Sequence, residues 1–165
     1  MLSLKERAGV IGLGNMGRGI AKNLAKSHWR LMVWDALPAP RKAWEKKRGV
    51  EVAPPGEMAR ACATIIFVVP ATPEVRECLQ GKEGILANAR EGLVLYDFTT
   101  SAPAHTRKLA ARTAKRGIAY IDAGMSGGPT GADAGRLTLM VGGDLDAFRR
   151  TKKFLAPVAK HIFYL

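Results

Sequence analysis

Cysteine is scarce in this sequence. Cys62 and Cys78 are the only two in 165 residues, and they stand in separate segments without metal-ligand spacing. That excludes a disulfide scaffold and reads as two reduced thiols in a reducing compartment, with no metal site. Long apolar runs are also missing, since none approaches the roughly 18 residues that a membrane helix needs. The segment Met1 to Arg7 is too short and too polar for a signal peptide. With a mean hydropathy of -0.04, a soluble, cytoplasmic protein with no membrane contact is expected. Histidine offers no obvious catalyst. His28 falls at a helix end, His105 in the first turn of a helix and His161 at the start of a strand, and each reads as structural or exposed. Carboxylates are few, 14 Asp and Glu against 26 Lys and Arg, for a net charge of +12. Basic residues gather at Arg41 to Arg48, Arg107 to Arg116 and Arg149 to Lys153. Lys108, Arg112 and Arg116 are four apart and share one helix face. No aromatic residues interleave with these clusters as a single-strand binder requires. They read as solvated faces rather than as a nucleic-acid surface.

What the chain does have is glycine in a particular place. Gly12-Leu13-Gly14-Asn15-Met16-Gly17 follows the apolar run Gly9-Val10-Ile11 and leads into a helix-compatible stretch, Arg18 to Lys26. A second apolar run, Leu31 to Trp34, ends on Asp35. This is a glycine-rich turn between strand and helix, with a carboxylate about 20 residues on. Gly12 permits the tight turn, Gly14 lets backbone approach a pyrophosphate, and Gly17 lets helix and strand pack closely. The helix N-terminus favours the phosphate charge. Asp35 can accept hydrogen bonds from a ribose hydroxyl pair, which points to NAD, with NADP possible because Arg41 and Lys42 are close by in sequence.

Strand-like runs alternate with helical patterns from end to end. Strands read near Val10-Ile11, Leu31-Trp34, Glu51-Val52, Thr64-Val69, Leu93-Phe98, Ala119-Asp122, Leu137-Val141 and His161-Leu165. Helices read near Met16 to Lys26, Pro40 to Arg48, Pro55 to Cys62, Glu74 to Leu79, Pro103 to Arg116 and Asp146 to Leu155. Ile65-Ile66-Phe67-Val68-Val69 has no polar alternation, as expected of a strand covered on both faces of a parallel sheet. The pattern predicts one α/β domain over residues 1–165, a doubly wound Rossmann-type fold with a mostly parallel sheet and helices on both faces.

Two loops fall where this fold places ligands, at the carboxyl ends of strands. Val69 and Pro70 end the fourth strand, and Thr100 follows the fifth. They could bracket a nicotinamide, or Pro70 could simply stop the ladder and Thr100 cap the next helix. The stretch Asp122 to Gly131 reads as a glycine-rich loop. Ser126, Gly127 and Gly128 within it could form an anion-binding concavity or a flexible turn.

These motifs, in this order, resemble the β-hydroxyacid dehydrogenases, among them 3-hydroxyisobutyrate dehydrogenase. The resemblance rests on residues 12–17, Val69-Pro70, Asp97-Phe98-Thr99-Thr100, Ser126-Gly127-Gly128 and Leu137 to Gly143. It implies that Thr100 contacts the cofactor and that the Ser-Gly-Gly loop binds the carboxylate of a small 3-hydroxy acid. Phe98 stands where the family usually has serine, and Gly124-Met125 where it often has Pro-Val. The resemblance also implies a second, all-helical domain with the catalytic lysine and most oligomer contacts. No residue in 1–165 matches that lysine, so no catalytic residue is assigned, and the chain is expected to be a cofactor domain that is inactive alone. Two rivals are a non-catalytic dinucleotide-binding module that docks on nucleic acid through its basic surface, and the cofactor domain of an imine reductase.

Overall fold

The computed structural model describes residues 6–165. Most of the Met1 to Arg7 segment, read above as lacking a signal peptide, lies outside them. The elements are β1 (Arg7–Ile11), α1 (Asn15–Lys26), β2 (Arg30–Trp34), α2 (Pro38–Lys42), β3 (Val50–Val52), α3 (Pro55–Ala61), β4 (Thr64–Phe67), α4 (Thr72–Leu79), α5 (Ile85–Asn88) and β5 (Val94–Asp97). There follow α6 (Pro103–Ala114), β6 (Ala119–Ser126), α7 (Gly128–Ala134), β7 (Leu137–Gly142), α8 (Leu145–Thr151), a 3-10 turn at Lys152–Leu155, and β8 (Ala159–Tyr164).

The strands form one sheet in the order β3-β2-β1-β4-β5-β6-β7-β8. The first six run parallel, β7 pairs antiparallel with β6, and β8 pairs parallel with β7. The expected Rossmann-type sheet is therefore present. The chain winds outward from β1 through β2 to β3, then returns to β4 on the other side. The carboxyl ends of β1 and β4 flank that reversal, where open α/β sheets form a crevice.

Each sheet face has its own apolar layer. One layer holds Val10, Ile20, Leu24, Ile66, Tyr96, Leu139 and Phe148 under α1 and α8. The other holds Ile11, Met58, Ile65, Phe67, Leu79, Ile85 and Leu95 under α3 to α5. Successive residues in β4 therefore enter opposite layers, which is why Ile65-Ile66-Phe67 shows no polar alternation. The outer face of β7 and β8 is left open, and Met140 and Phe163, register partners, are both exposed.

Two expectations need correction. The helix read at Pro40 to Arg48 is only α2, followed by turns. Trp44 donates its N–H to Arg41 O at 2.9 Å, and its side chain is buried in the core. Unwinding there lets the one large apolar residue of a basic segment reach the interior. The loop read at Asp122 to Gly131 is not a loop. β6 continues to Ser126 because β7 pairs with it, Gly124 opposite Met140. Only Gly127 and Gly128, with φ of +127° and +59°, make the turn into α7.

α7 docks on α1 through small residues. A Cβ on Gly19 would lie 2.8 Å from the Asp133 nitrogen. The Asn23 amide donates to three carbonyls, Gly19 at 3.0 Å, Ala132 at 2.8 Å and Asp133 at 3.1 Å. Lys22 pairs with Asp133 at 3.0 Å.

The three glycines of the first turn differ in kind. A Cβ on Gly17 would overlap the Gly12 carbonyl oxygen, and one on Gly12 would overlap the Val68 carbonyl oxygen. A Cβ on Gly14 meets nothing within 4 Å, and Gly14 has φ -72°, open to any residue. We expect Gly17→Ala to cost about 2–3 kcal/mol by overpacking against backbone. Gly14→Ala should stay within about 1 kcal/mol of the parent. Urea denaturation followed by circular dichroism measures both; equal losses would contradict this division.

Candidate functional site

The Gly12 N–H donates to Trp34 O at 2.8 Å, so the turn starts as an extension of the β1–β2 ladder. Leu13, buried beneath the turn, donates its N–H to Asp35 Oδ2 at 2.8 Å. Asp35 Oδ1 accepts from Leu37 N at 2.9 Å. The carboxylate thus ties the glycine turn to the exit of β2. Each oxygen keeps a further lone pair. Arg41 donates to Asp35 O at 2.8 Å, and its guanidinium lies 4.3 Å from the Trp34 ring centroid. Arg41 therefore sits beside the carboxylate through backbone and ring contacts, without forming an ion pair with it.

Gly14 is the N-cap of α1, no side chain caps the helix, and its first turn carries no acidic residue. The first N–H groups of a helix have no partner within it. Here they stand beside open space at Gly14, with Asn15 exposed and Met16 half-buried. Gly12 lies against Val68 and Val69, since a Cβ there would be 3.2 Å from Val69 Cγ1. Val69 is half-buried and Pro70 exposed at the β4 exit. This uncapped turn with a ribose-competent carboxylate fits the diphosphate and ribose of a dinucleotide.

A second group of residues stands at the ends of β5 and β6. Phe98, Thr99, Thr100, Asp122, Met125 and Met140 help line a cavity of about 310 Å³. Thr100 is exposed, and α6 begins from Ala102 with no side-chain cap. Thr100 therefore does not cap the helix. Thr99 is 5% exposed and its Oγ1 has no hydrogen-bond partner. An unpaired buried hydroxyl is costly, and this one belongs to a residue lining the cavity. Ser126, Gly127 and Gly128 are exposed at the β6–α7 junction and do not line that cavity.

Sequence reasoning missed Thr99, Asp122 and the Gly19–Asn23 docking site. Asp97 accepts from Thr99 N at 2.9 Å and from the Tyr120 hydroxyl. Asp122 is its register partner on the adjacent parallel strand. Partial burial, then the Asp97 charge, hold the Asp122 carboxyl above the usual range. Burial and the same charge raise the Tyr120 phenol, so it stays a donor. Both cysteines are free, and burial pushes their thiols up to about 12. Neither is an activated nucleophile at neutral pH.

The fold and the turn define a dinucleotide-binding Rossmann domain. Residues 7–165 match the family described as the NAD binding domain of 6-phosphogluconate dehydrogenase, and the chain belongs to it. It is 35% identical over 160 residues to human mitochondrial 3-hydroxyisobutyrate dehydrogenase, covering 97% of this chain and 48% of that protein. Among solved structures it is similar to Mycobacterium tuberculosis 3-hydroxyisobutyrate dehydrogenase with L-serine. That match has a TM-score of 0.86 and 30% identity, over 98% of this chain and 54% of the other. An imine reductase from Pseudomonas sp. matches with a TM-score of 0.84 at 22% identity, over 98% of this chain and 55% of the other, a likeness of fold alone. The chain spans about half the length of the curated relatives it matches. No helix among the described residues is long and apolar enough to cross a membrane.

A raised carboxyl has a definite consequence for stability. The folded protein holds the Asp122 proton to higher pH than the unfolded chain does. Its ionisation therefore removes stability as pH rises through the folded value, while below the unfolded carboxyl range there is no loss. We expect Asp122→Asn to raise the Tm at pH 7, with the gain shrinking toward about pH 3. Thermal melts across that range measure it; a gain that grows toward acid would contradict the direction of the shift.

Proposed function

We propose that this chain forms the cofactor half of an NAD-dependent dehydrogenase acting on small 3-hydroxy acids. The observation that carries the reading is the meeting at one sheet edge of an open glycine turn, the Asp35 carboxylate and the cavity beneath Thr100. In this reading, N–H groups from Gly12 to Gly17 receive the pyrophosphate, with Leu13, Asn15 and Met16 shaping the turn. Asp35 accepts the adenosine ribose hydroxyls through its remaining lone pairs. Val69, Pro70 and Thr100 flank the nicotinamide. Ser126, Gly127 and Gly128 hold the substrate carboxylate by hydroxyl and backbone N–H groups. A bound nicotinamide supplies the two-electron chemistry. Support comes from the family, from the similarity to human 3-hydroxyisobutyrate dehydrogenase and from the solved relative with L-serine, itself a 3-hydroxy acid.

Position 35 also sets the cofactor. A 2′-phosphate there would meet like charge at Asp35, and Arg41 is already engaged with Asp35 O and Trp34. NAD should bind more tightly than NADP. Gly14→Ala should weaken NAD at least tenfold, about 1.4 kcal/mol, because its methyl would occupy the pyrophosphate's approach. Calorimetric titration of both cofactors tests these points. Tighter NADP binding, or unchanged NAD affinity in Gly14→Ala, would sink the reading.

Proton transfer at the substrate hydroxyl needs an acid or base within reach, typically contributing about 10²–10⁴-fold. The one titratable side chain that lines the cavity among the described residues is Asp122, and no lysine does. The family resemblance gives this proton to a lysine in an all-helical domain. Residues 1–165 alone should therefore bind NADH without measurable turnover. The assay is NADH fluorescence titration beside absorbance on a panel of 3-hydroxy acids. Turnover that vanished in Asp122→Asn would move the proton to Asp122 and overturn this assignment.

A further inference from the structure

The basic residues of α6 remain outside the dehydrogenase reading. Between Asp97 and Asp122 the chain carries five Lys and Arg residues and no carboxylate. The structure gathers four of them, with Arg76 of α4, along two adjoining cavities. One cavity of about 290 Å³ is lined by Arg76 of α4 and by His105, Lys108, Leu109 and Arg112 of α6. A second, of about 450 Å³, is shared with it at Arg112 and continues past Lys115 and Arg116 toward Gln80 and Leu86. Together they form one groove between α6 and the α4–α5 segment. Among the described residues none of these cations forms an ion pair. The α4 carboxylates, Glu74 and Glu77, do not line it.

A solvated helix face does not account for this arrangement. The helix dipole favours cations in the last turn of α6, which explains Arg112 to Arg116. It does not explain Lys108, or Arg76 reaching the same groove from another helix. Lys108 and Arg112 are like charges at i, i+4 within α6, which disfavours the helix when no anion lies between them, whereas Arg116, read in the sequence as sharing their face, lies in the turn after the helix ends at Ala114. From Lys108 to the end of α6 at Ala114 the axis advances about 9 Å. A duplex presents a phosphate charge about every 1.7 Å of its axis, so several phosphates fit that length. No Phe, Tyr or Trp lines either cavity, so there is no row of large rings for successive bases to stack on. The Lys115–Arg116 end lies where α6 returns to the amino edge of the sheet, away from the glycine turn.

We propose that the α4–α6 groove is a binding site for the phosphate backbone of duplex nucleic acid, independent of sequence and separate from the dinucleotide site. Lys108, Arg112, Lys115 and Arg76 contact phosphates as charges, and no base is read.

The test is fluorescence anisotropy of the 165-residue protein with a labelled 20-base-pair duplex, from about 50 to 200 mM salt. Four phosphate contacts predict that log K falls with log salt at a slope near -3.6, and Arg112→Ala with Lys115→Ala should bring the slope near -1.8. The same double variant should weaken binding at 50 mM salt at least tenfold. The charge-matched control, Lys46→Ala with Arg48→Ala, should leave both the slope and the affinity unchanged. Equal loss in the control would reduce the effect to overall charge and overturn the proposal. So would no binding at 50 mM salt, tighter binding of single strands, or binding only to inorganic polyphosphate or to phosphatidylserine vesicles. Circular dichroism of both variants ensures that any loss is not unfolding.

Discussion

The first turn of α1 rests on backbone against backbone. With a side chain at Gly17 the helix could not sit over the Gly12 carbonyl, and with one at Gly12 the turn could not pass beside Val68. These two contacts fix where α1 leaves the sheet, and so where its N-terminus stands relative to the exits of β2 and β4. Everything at the carboxyl edge is placed from that point. Asp35 reaches Leu13 N because the turn is held there. α7 finds Gly19 and Asn23 because α1 has been set at that angle and height.

The α1–α7 contact extends this placement across the sheet. Residues more than a hundred positions apart join through the Asn23 amide, which satisfies carbonyls at the end of α7 as well as one on its own helix. The β6–α7 junction, with Ser126 to Gly128, is thereby carried by the same helix that begins at the glycine turn. Two segments read independently in the sequence are braced by one rigid element. Their separation is set by packing rather than by loop length.

Much of this was legible in the sequence because parallel strands bury both faces. Ile65-Ile66-Phe67 or Val94-Leu95-Tyr96 must lie inside whatever the neighbours are. The glycine turn was legible from its spacing after a strand, and Gly12 and Gly17 have steric reasons that bear that spacing out, while Gly14 stands in open space. What could not be read depends on distant partners. Gly124 belongs to a strand only because Met140 lies opposite, and a glycine-rich stretch shows the same local signal in a loop. α7 is too short to announce itself and is held by α1. Thr99 looks like any threonine until burial strips its hydroxyl of partners. Basic residues of α6 give a helix-face pattern, but their convergence with Arg76 comes from tertiary packing.

Asp35 serves the architecture whatever it binds. Its two oxygens tether Leu13, in the glycine turn, and Leu37, just past the exit of β2. A lineage that exchanges this carboxylate loses both tethers in one step, before any new ligand preference has been tuned. Drift at position 35 is therefore epistatic with the turn. A neutral path must first supply another acceptor for the Leu13 N–H, and adaptation of this edge proceeds through paired changes rather than single ones.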